Sequence, residues 1–274
     1  MKLFSGVLAL LLLVPCSFYA QKNKRLWLVP NNQSASHGTL ESFKLPFRDS
    51  TTRQVVVWLP SNYNPQLEYA TIYMHDGQML FDSTTTWNKK EWRVDETADS
   101  LISNGITRPF IVVGIYNDPP NRYAEFFPQQ ASLYMDTAYV STLTSSLWNG
   151  ELRADYYLEW ITKALIPFVD KSYSVSHKRE DRFLIGSSMG GLSTLYAAYK
   201  QPDKFKTALA LSPHWVIGGD ALVHRTVKEL PKPGSHIIWM SRGTKALDAQ
   251  YEPFQDLADG LMLQKGYRRD ADFI

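Results

Sequence analysis

Short apolar runs alternate with longer stretches of spaced apolar residues from Val55 onward. The runs at 55–59, 70–74, 110–116, 182–186, 206–211 and 236–240 are nearly continuous and end in turn residues, which predicts strands. Residues 38–46 alternate and predict a strand ahead of them. Helical spacing predicts helices over 94–103, 155–173, 190–200, 221–230 and 251–265. In 155–173 the spacing runs through Leu158, Ile161, Leu165, Phe168 and Val169. Continuous apolar strands joined by helices predict a mostly parallel, doubly wound α/β sheet with helices on both faces. Such a sheet binds ligands at the carboxyl ends of its strands.

The first twenty residues are a different material. Lys2 precedes an uncharged apolar run at 7–14, and Ala20 stands before a polar stretch. This predicts an export signal over 1–20 and one domain over 21–274, with a periplasmic or secreted product. The apolar run is shorter than the roughly 20 residues that span a bilayer, so a stable membrane anchor is not expected. Cys16 is the single cysteine, and Pro15 before it is a poor match to a lipidation signal. Cleavage after Ala20 leaves no cysteine, which excludes disulfides and thiolate–metal sites. No metal or cofactor is expected. With 29 basic and 27 acidic residues the chain is near charge balance, and no basic run suggests a nucleic-acid partner.

Gly186-Ser187-Ser188-Met189-Gly190-Gly191 follows one predicted strand and opens one predicted helix. A serine between glycines two places before and two places after fits a sharp strand-to-helix turn that exposes its hydroxyl. Only Ser188 has glycine at both flanking places, so Ser188 is the candidate nucleophile and Ser187 a turn residue. The Met189 N–H, at the start of the helix, is a candidate oxyanion donor. Gln78, in the loop His75-Asp76-Gly77-Gln78, is the candidate second donor; a plain glycine turn is the alternative.

A serine nucleophile needs a base and an orienting acid, in chain order Ser, acid, His. Asp248, in the loop after the strand 236–240, is the candidate acid. It could instead cap the next helix, and Glu252 is a rival. All six histidines precede Asp248. The base is therefore expected beyond Ile274, with 272–274 opening a last strand and the final helix incomplete. His214 and His75 stand near the site but out of triad order.

The chain resembles the putative-esterase family of α/β-hydrolases, the group of esterase D, siderophore trilactone esterases, and feruloyl and acetyl-xylan esterases. The resemblance runs over about residues 53–274. It is carried by the segments 73–78, 92–96, 112–115, 159–167, 186–192 and 211–213, by Arg122, Glu125 and Pro128, and by Gly243-Thr244 ahead of Asp248. It implies carboxylic-ester hydrolysis without a cofactor, on a small-molecule ester such as a sugar ester, a feruloyl ester or a siderophore lactone. It supports Ser188 and Asp248 as triad members. His214 departs from the small residue expected after Ser212-Pro213. Arg122 and Glu125 are expected near the pocket mouth, as substrate contacts or as an ion pair. Trp87, Trp92, Trp148 and Trp215 are candidates for an aromatic wall, Trp215 and His214 standing beside the site; packing is the alternative. Two other functions fit the same fold: a ligand- or carbohydrate-binding protein without catalysis, and acyl transfer to a sugar.

Overall fold

The computed structural model describes Lys24 and residues 26–274; the expected export signal, with Cys16, lies outside the described residues. Eight strands form one sheet: β1 (Leu28–Val29), β2 (Thr39–Pro46), β3 (Thr52–Leu59), β4 (Ala70–His75), β5 (Phe110–Ile115), β6 (Arg182–Ser187), β7 (Thr207–Leu211) and β8 (Ile237–Ser241). Their spatial order is β1-β2-β3-β5-β4-β6-β7-β8. The pairings from β1 to β5 along that order are antiparallel, and those from β5 through β8 are parallel. The sheet is thus the mostly parallel one the apolar pattern predicts, and its arrangement is that of an α/β-hydrolase fold.

Burial on both faces explains why the strands read as continuous apolar runs. In β3, Val55 and Val57 enter the larger core, while Val56 and Trp58 point to a smaller one. The smaller core is covered by α1 (Val94–Ser103) through Ala98. Most of the larger core is covered by four further segments. These are α2 (Arg122–Phe126), the α4–α5 unit (Ala154–Trp160 and Ile166–Ser172), α6 (Met189–Lys200), and the pair α7 (Gly219–Glu229) and α8 (Glu252–Gln264).

Two local features differ from the sequence expectation. The helix predicted over 155–173 is interrupted by a π turn, Ile161–Leu165, where the Ile166 N–H reaches the Ile161 carbonyl. Pro167 lies just beyond it, and a proline removes one helical N–H and crowds the carbonyl four residues back; widening the preceding turn relieves this. The helix α3 (Thr137–Ser146) was not expected, because its Ser and Thr residues weaken the helical signal. Its start is nonetheless encoded: the Asp136 side chain caps the Tyr139 N–H at 2.9 Å.

At the other edge, residues 272–274 lie parallel to β8. Ile238 donates to Asp272 O at 3.0 Å, Ile274 to Ile238 O at 3.0 Å, and Met240 to Ile274 O at 2.8 Å. This is the backbone pairing of a further parallel strand, as expected from the sequence.

Candidate active site

Ser188 sits between the end of β6 and the start of α6, with φ 58° and ψ −120°. A non-glycine residue at positive φ is strained, and such strain persists only where the surroundings enforce it. Here the enforcement is visible. The Ser188 N–H donates to Leu211 O at 2.9 Å, and its carbonyl accepts from His214 N and Leu192 N, both at 3.2 Å. A Cβ on Gly186 would lie 2.3 Å from Gly190 O and 2.7 Å from the His75 ring. A Cβ on Gly190 would meet His75 at 3.2 Å. The glycines are thus the condition for strand, helix and His75 to meet at the turn. Ser187, the last residue of β6, carries no such strain.

Met189 is the first residue of α6, where helix geometry leaves its N–H without an intrahelical acceptor. Gln78 lies in the single 3-10 turn Gly77–Met79 that follows β4, and its backbone N–H is left over for the same reason. The Gln78 side chain is occupied, its Oε1 accepting from Asn117 N at 3.1 Å. Both candidate donors stand at the carboxyl edge of the sheet, and Gln78 shares a cavity with Ser188.

Asp248 stands in a 3-10 turn, Ala246–Gln250, after β8. Its Oδ2 accepts from Ser212 Oγ at 2.7 Å and from Gly243 N at 3.1 Å. Oδ1 accepts no hydrogen bond among the described residues, so one lone-pair face is open to an imidazole N–H. Glu252, the rival, is exposed and paired with Arg242. No histidine among the described residues bonds Ser188 Oγ or Asp248. His75 is 3% exposed, its Nδ1 is 2.8 Å from the Tyr157 hydroxyl, and burial lowers its pKa to about 4. It is a wedge behind the elbow. His214 Nδ1 lies 2.5 Å from the Tyr251 hydroxyl. Burial, then Arg122, lower the His214 imidazole, with Asp248 opposing them. Burial raises the Tyr251 phenol, and the Ser188 hydroxyl facing it offsets part of that rise.

A cavity of about 370 Å³ opens at Ser188. Trp87, Trp92 and Tyr123 form its aromatic sides, and Asp76, Asn117 and Arg122 its polar side. Arg122 grips Asp76 with two parallel bonds, Nε to Oδ1 at 2.8 Å and Nη2 to Oδ2 at 2.7 Å. Asn117 Nδ2 adds a third bond to Oδ1 at 2.5 Å. Burial alone would raise the Asp76 carboxyl, but the guanidinium and Asn117 outweigh it and hold it below its ordinary value. The loop bearing Trp87 is tied down by Asp82, which accepts from Ser34 and Thr84. The Thr84 hydroxyl is the first cause of that carboxyl's fall to about 2.

Comparison with known proteins agrees with this architecture. Residues 50–251 match the model of the family described as "Putative esterase". The chain belongs to this esterase family. Among sequence relatives, the ferri-bacillibactin esterase BesA of Bacillus subtilis (strain 168) is 25% identical over 197 residues, 65% of this chain and 63% of the relative. Among solved structures, the enterobactin esterase FES of Shigella flexneri superposes with TM-score 0.62 at 15% identity, covering 88% of this chain and 53% of that one. A ferulic acid esterase from Anaeromyces mucronatus, in complex with ferulic acid, gives TM-score 0.56 at 16% identity, over 88% and 86% of the two chains. The chain thus spans under two thirds of the ferri-bacillibactin esterase and about half of the enterobactin esterase.

In this family member several expected site residues fall elsewhere. Trp215 is fully buried, its indole N–H donating to Gln255 Oε1 at 3.0 Å, so it belongs to the core and not to the pocket wall. Trp148 is likewise buried, 4.8 Å from the Phe127 ring. Glu125 is 1% exposed and does not pair with Arg122; it bonds Arg53 at 2.5 Å. Three residues apart on the short α2, Arg122 and Glu125 could pair by spacing, but each is claimed by a partner outside the helix: Asp76 in the loop after β4 and Arg53 on β3. Arg122 lines the Ser188 cavity as expected, while His214 stands beside Ser188 outside the lining. Asp76, Asn117 and Tyr251 were not expected to take part. Asp76 had a signal, since it sits in the same loop as Gln78; Tyr251 had none, being one aromatic residue opening a helix.

Proposed function

We propose that this esterase family member hydrolyses carboxylic esters through an acyl-enzyme on Ser188. The observation that supports it most is the enforced positive φ of Ser188, aimed at a cavity and flanked by free N–H groups. In the proposed cycle the Ser188 oxygen attacks the ester carbonyl and the N–H groups of Met189 and Gln78 hold the oxyanion. The alcohol leaves with a proton, and water then releases the acid from Ser188.

The base is proposed as a histidine in sequence following Ile274, brought to the open face of Asp248 by the strand that 272–274 begins. A second reading rests on the bond between His214 and Tyr251. Ser188 would pass its proton to the Tyr251 oxygen while Tyr251 passes its own to His214 Nδ1. Reading the frame past Ile274 and assaying His214→Gln separates the two. The first reading expects near-normal turnover in that variant, and the second expects it to fall.

Trp87, Trp92 and Tyr123 favour a planar aromatic group on one side of the ester, in line with the ferulic acid held by one structural neighbour; another neighbour acts on enterobactin. Export is proposed from the leader at 1–20, and a mature protein retaining Met1 would contradict it. The direct test of function is Ser188→Ala in the complete protein with methyl ferulate. Turnover should fall roughly 10⁴-fold or more; unchanged turnover overturns the reading.

A further inference from the structure

Residues 30–38, the arm that links β1 to β2, run against the loop that follows β4. The family match covers residues 50–251 and does not include this arm. Asn31 folds it, Nδ2 donating to Gln33 O at 2.6 Å while Oδ1 accepts from Ser42 Oγ on β2 at 2.7 Å. Ser34 donates through N and Oγ to Asp82 Oδ2, both at 2.8 Å. The fully buried Asp95, in the first turn of α1, accepts from Ser36 N at 2.6 Å and His37 N at 3.1 Å. The arm is thus seated by its neighbours on both sides of Gln33.

Gln33 itself turns to another target. It is 7% exposed, and its Nε2 donates to the Gln78 carbonyl, 45 residues on, at 2.9 Å. Gln78 is the candidate oxyanion donor. Its side-chain Oε1 already accepts from Asn117 N at 3.1 Å, so Gln78 is held at its carbonyl and at its side chain by two separate segments. Its own N–H is the polar group left over.

The loop needs such ties. It is a single 3-10 turn, closed by one bond, Met79 N to Asp76 O at 2.8 Å, and short 3-10 turns hold themselves poorly. Asp76 before it is left-handed, with φ 58° and ψ 44°, and Arg122 and Asn117 anchor its carboxylate. One end of the turn is therefore held through Asp76, and the other through Gln33. An oxyanion donor acts only from the right place, and small misplacements cost rate.

We propose that Gln33 is a positioning residue for ester turnover: its amide, presented by the N-terminal arm, holds the Gln78 peptide so that the Gln78 N–H faces the oxyanion formed at Ser188. This role rests on the proposed function of Ser188 and Gln78; the Gln33 tie to the loop can be tested without it.

The test uses the complete protein and two variants. Gln33→Met keeps the side chain's length and removes its donor. Ser34→Ala removes a neighbouring arm bond and leaves Gln33 in place. In Gln33→Met, kcat for methyl ferulate should fall about 10-fold, less than the full loss of a donor, with KM within about twofold. Ser34→Ala should keep kcat within about twofold. Amide exchange over residues 76–81, read by mass spectrometry, should quicken at least about fivefold in Gln33→Met and not in Ser34→Ala.

Unchanged exchange in Gln33→Met overturns the tie. Quickened exchange with unchanged kcat, a rise in KM in place of the fall in kcat, or an equal fall in Ser34→Ala overturns the positioning role. Turnover that survives Ser188→Ala, with exchange still quickened in Gln33→Met, would instead overturn the proposed function and leave the tie standing.

Discussion

Ser188 is held by backbone on every side, whereas Asp248 hangs on two hydrogen bonds in an exposed loop. The serine's N–H and carbonyl are tied to β7, the His214 loop and α6, and glycine contacts close the turn behind it. Asp248 is fixed by Ser212 Oγ and Gly243 N alone, in a stretch where Thr244, Lys245, Ala246 and Leu247 are exposed. The elbow's geometry is therefore a property of the fold, and the acid's geometry is a local one. Damage to the first should appear as lost stability; damage to the second should appear as lost rate.

The largest effect expected on the elbow side is a pH dependence. Unfolded His75 takes a proton near its ordinary 6.5, while folded His75 stays neutral to about 4 because it is buried. Between those values the unfolded state binds more protons, so stability is full above about pH 6.5 and declines as pH falls toward 4. The contribution at stake is about 3 kcal/mol. Urea unfolding at pH 7 and pH 4.5 measures it, and His75→Gln should flatten the slope. His236, buried and lowered to about 4 in the same sense, adds to the decline in both proteins.

Next in size are two glycine substitutions that separate the regions. In Gly186→Ala the new methyl meets Gly190 backbone at 2.3 Å, which only a shift of strand against helix relieves. Unfolding stability should drop by about 2–3 kcal/mol. In Gly243→Ala the methyl meets Asp248 Oδ2 at 2.5 Å, and the carboxylate can swing away. Stability should change by less than about 0.5 kcal/mol, while turnover of methyl ferulate falls about 10-fold as the acid is displaced. Equal stability losses in the two variants would break the distinction.

The same contrast governs what the sequence discloses. The elbow is legible because every constraint on it is local: strand, glycine, serine, glycine, helix. Asp248 is legible through strand order, since the parallel pattern places its loop after β8. Contacts that join distant segments are not legible. Arg122 and Glu125 read as one pair, yet Asp76 and Arg53, 46 and 72 residues upstream, claim them separately. Trp215 reads as a pocket residue from its neighbours in sequence, but burial against Gln255, 40 residues on, decides its place. Tyr251 reaches His214 and Ser188 through the packing of α8, which periodicity fixes in type and not in position.

The most direct test is covalent trapping of the nucleophile. The complete protein is treated with a fluorophosphonate and the modified peptide is sequenced by mass spectrometry. The account predicts a single adduct on Ser188, absent in Ser188→Ala. An adduct on Ser187 or elsewhere, or esterase turnover without any adduct, would contradict it.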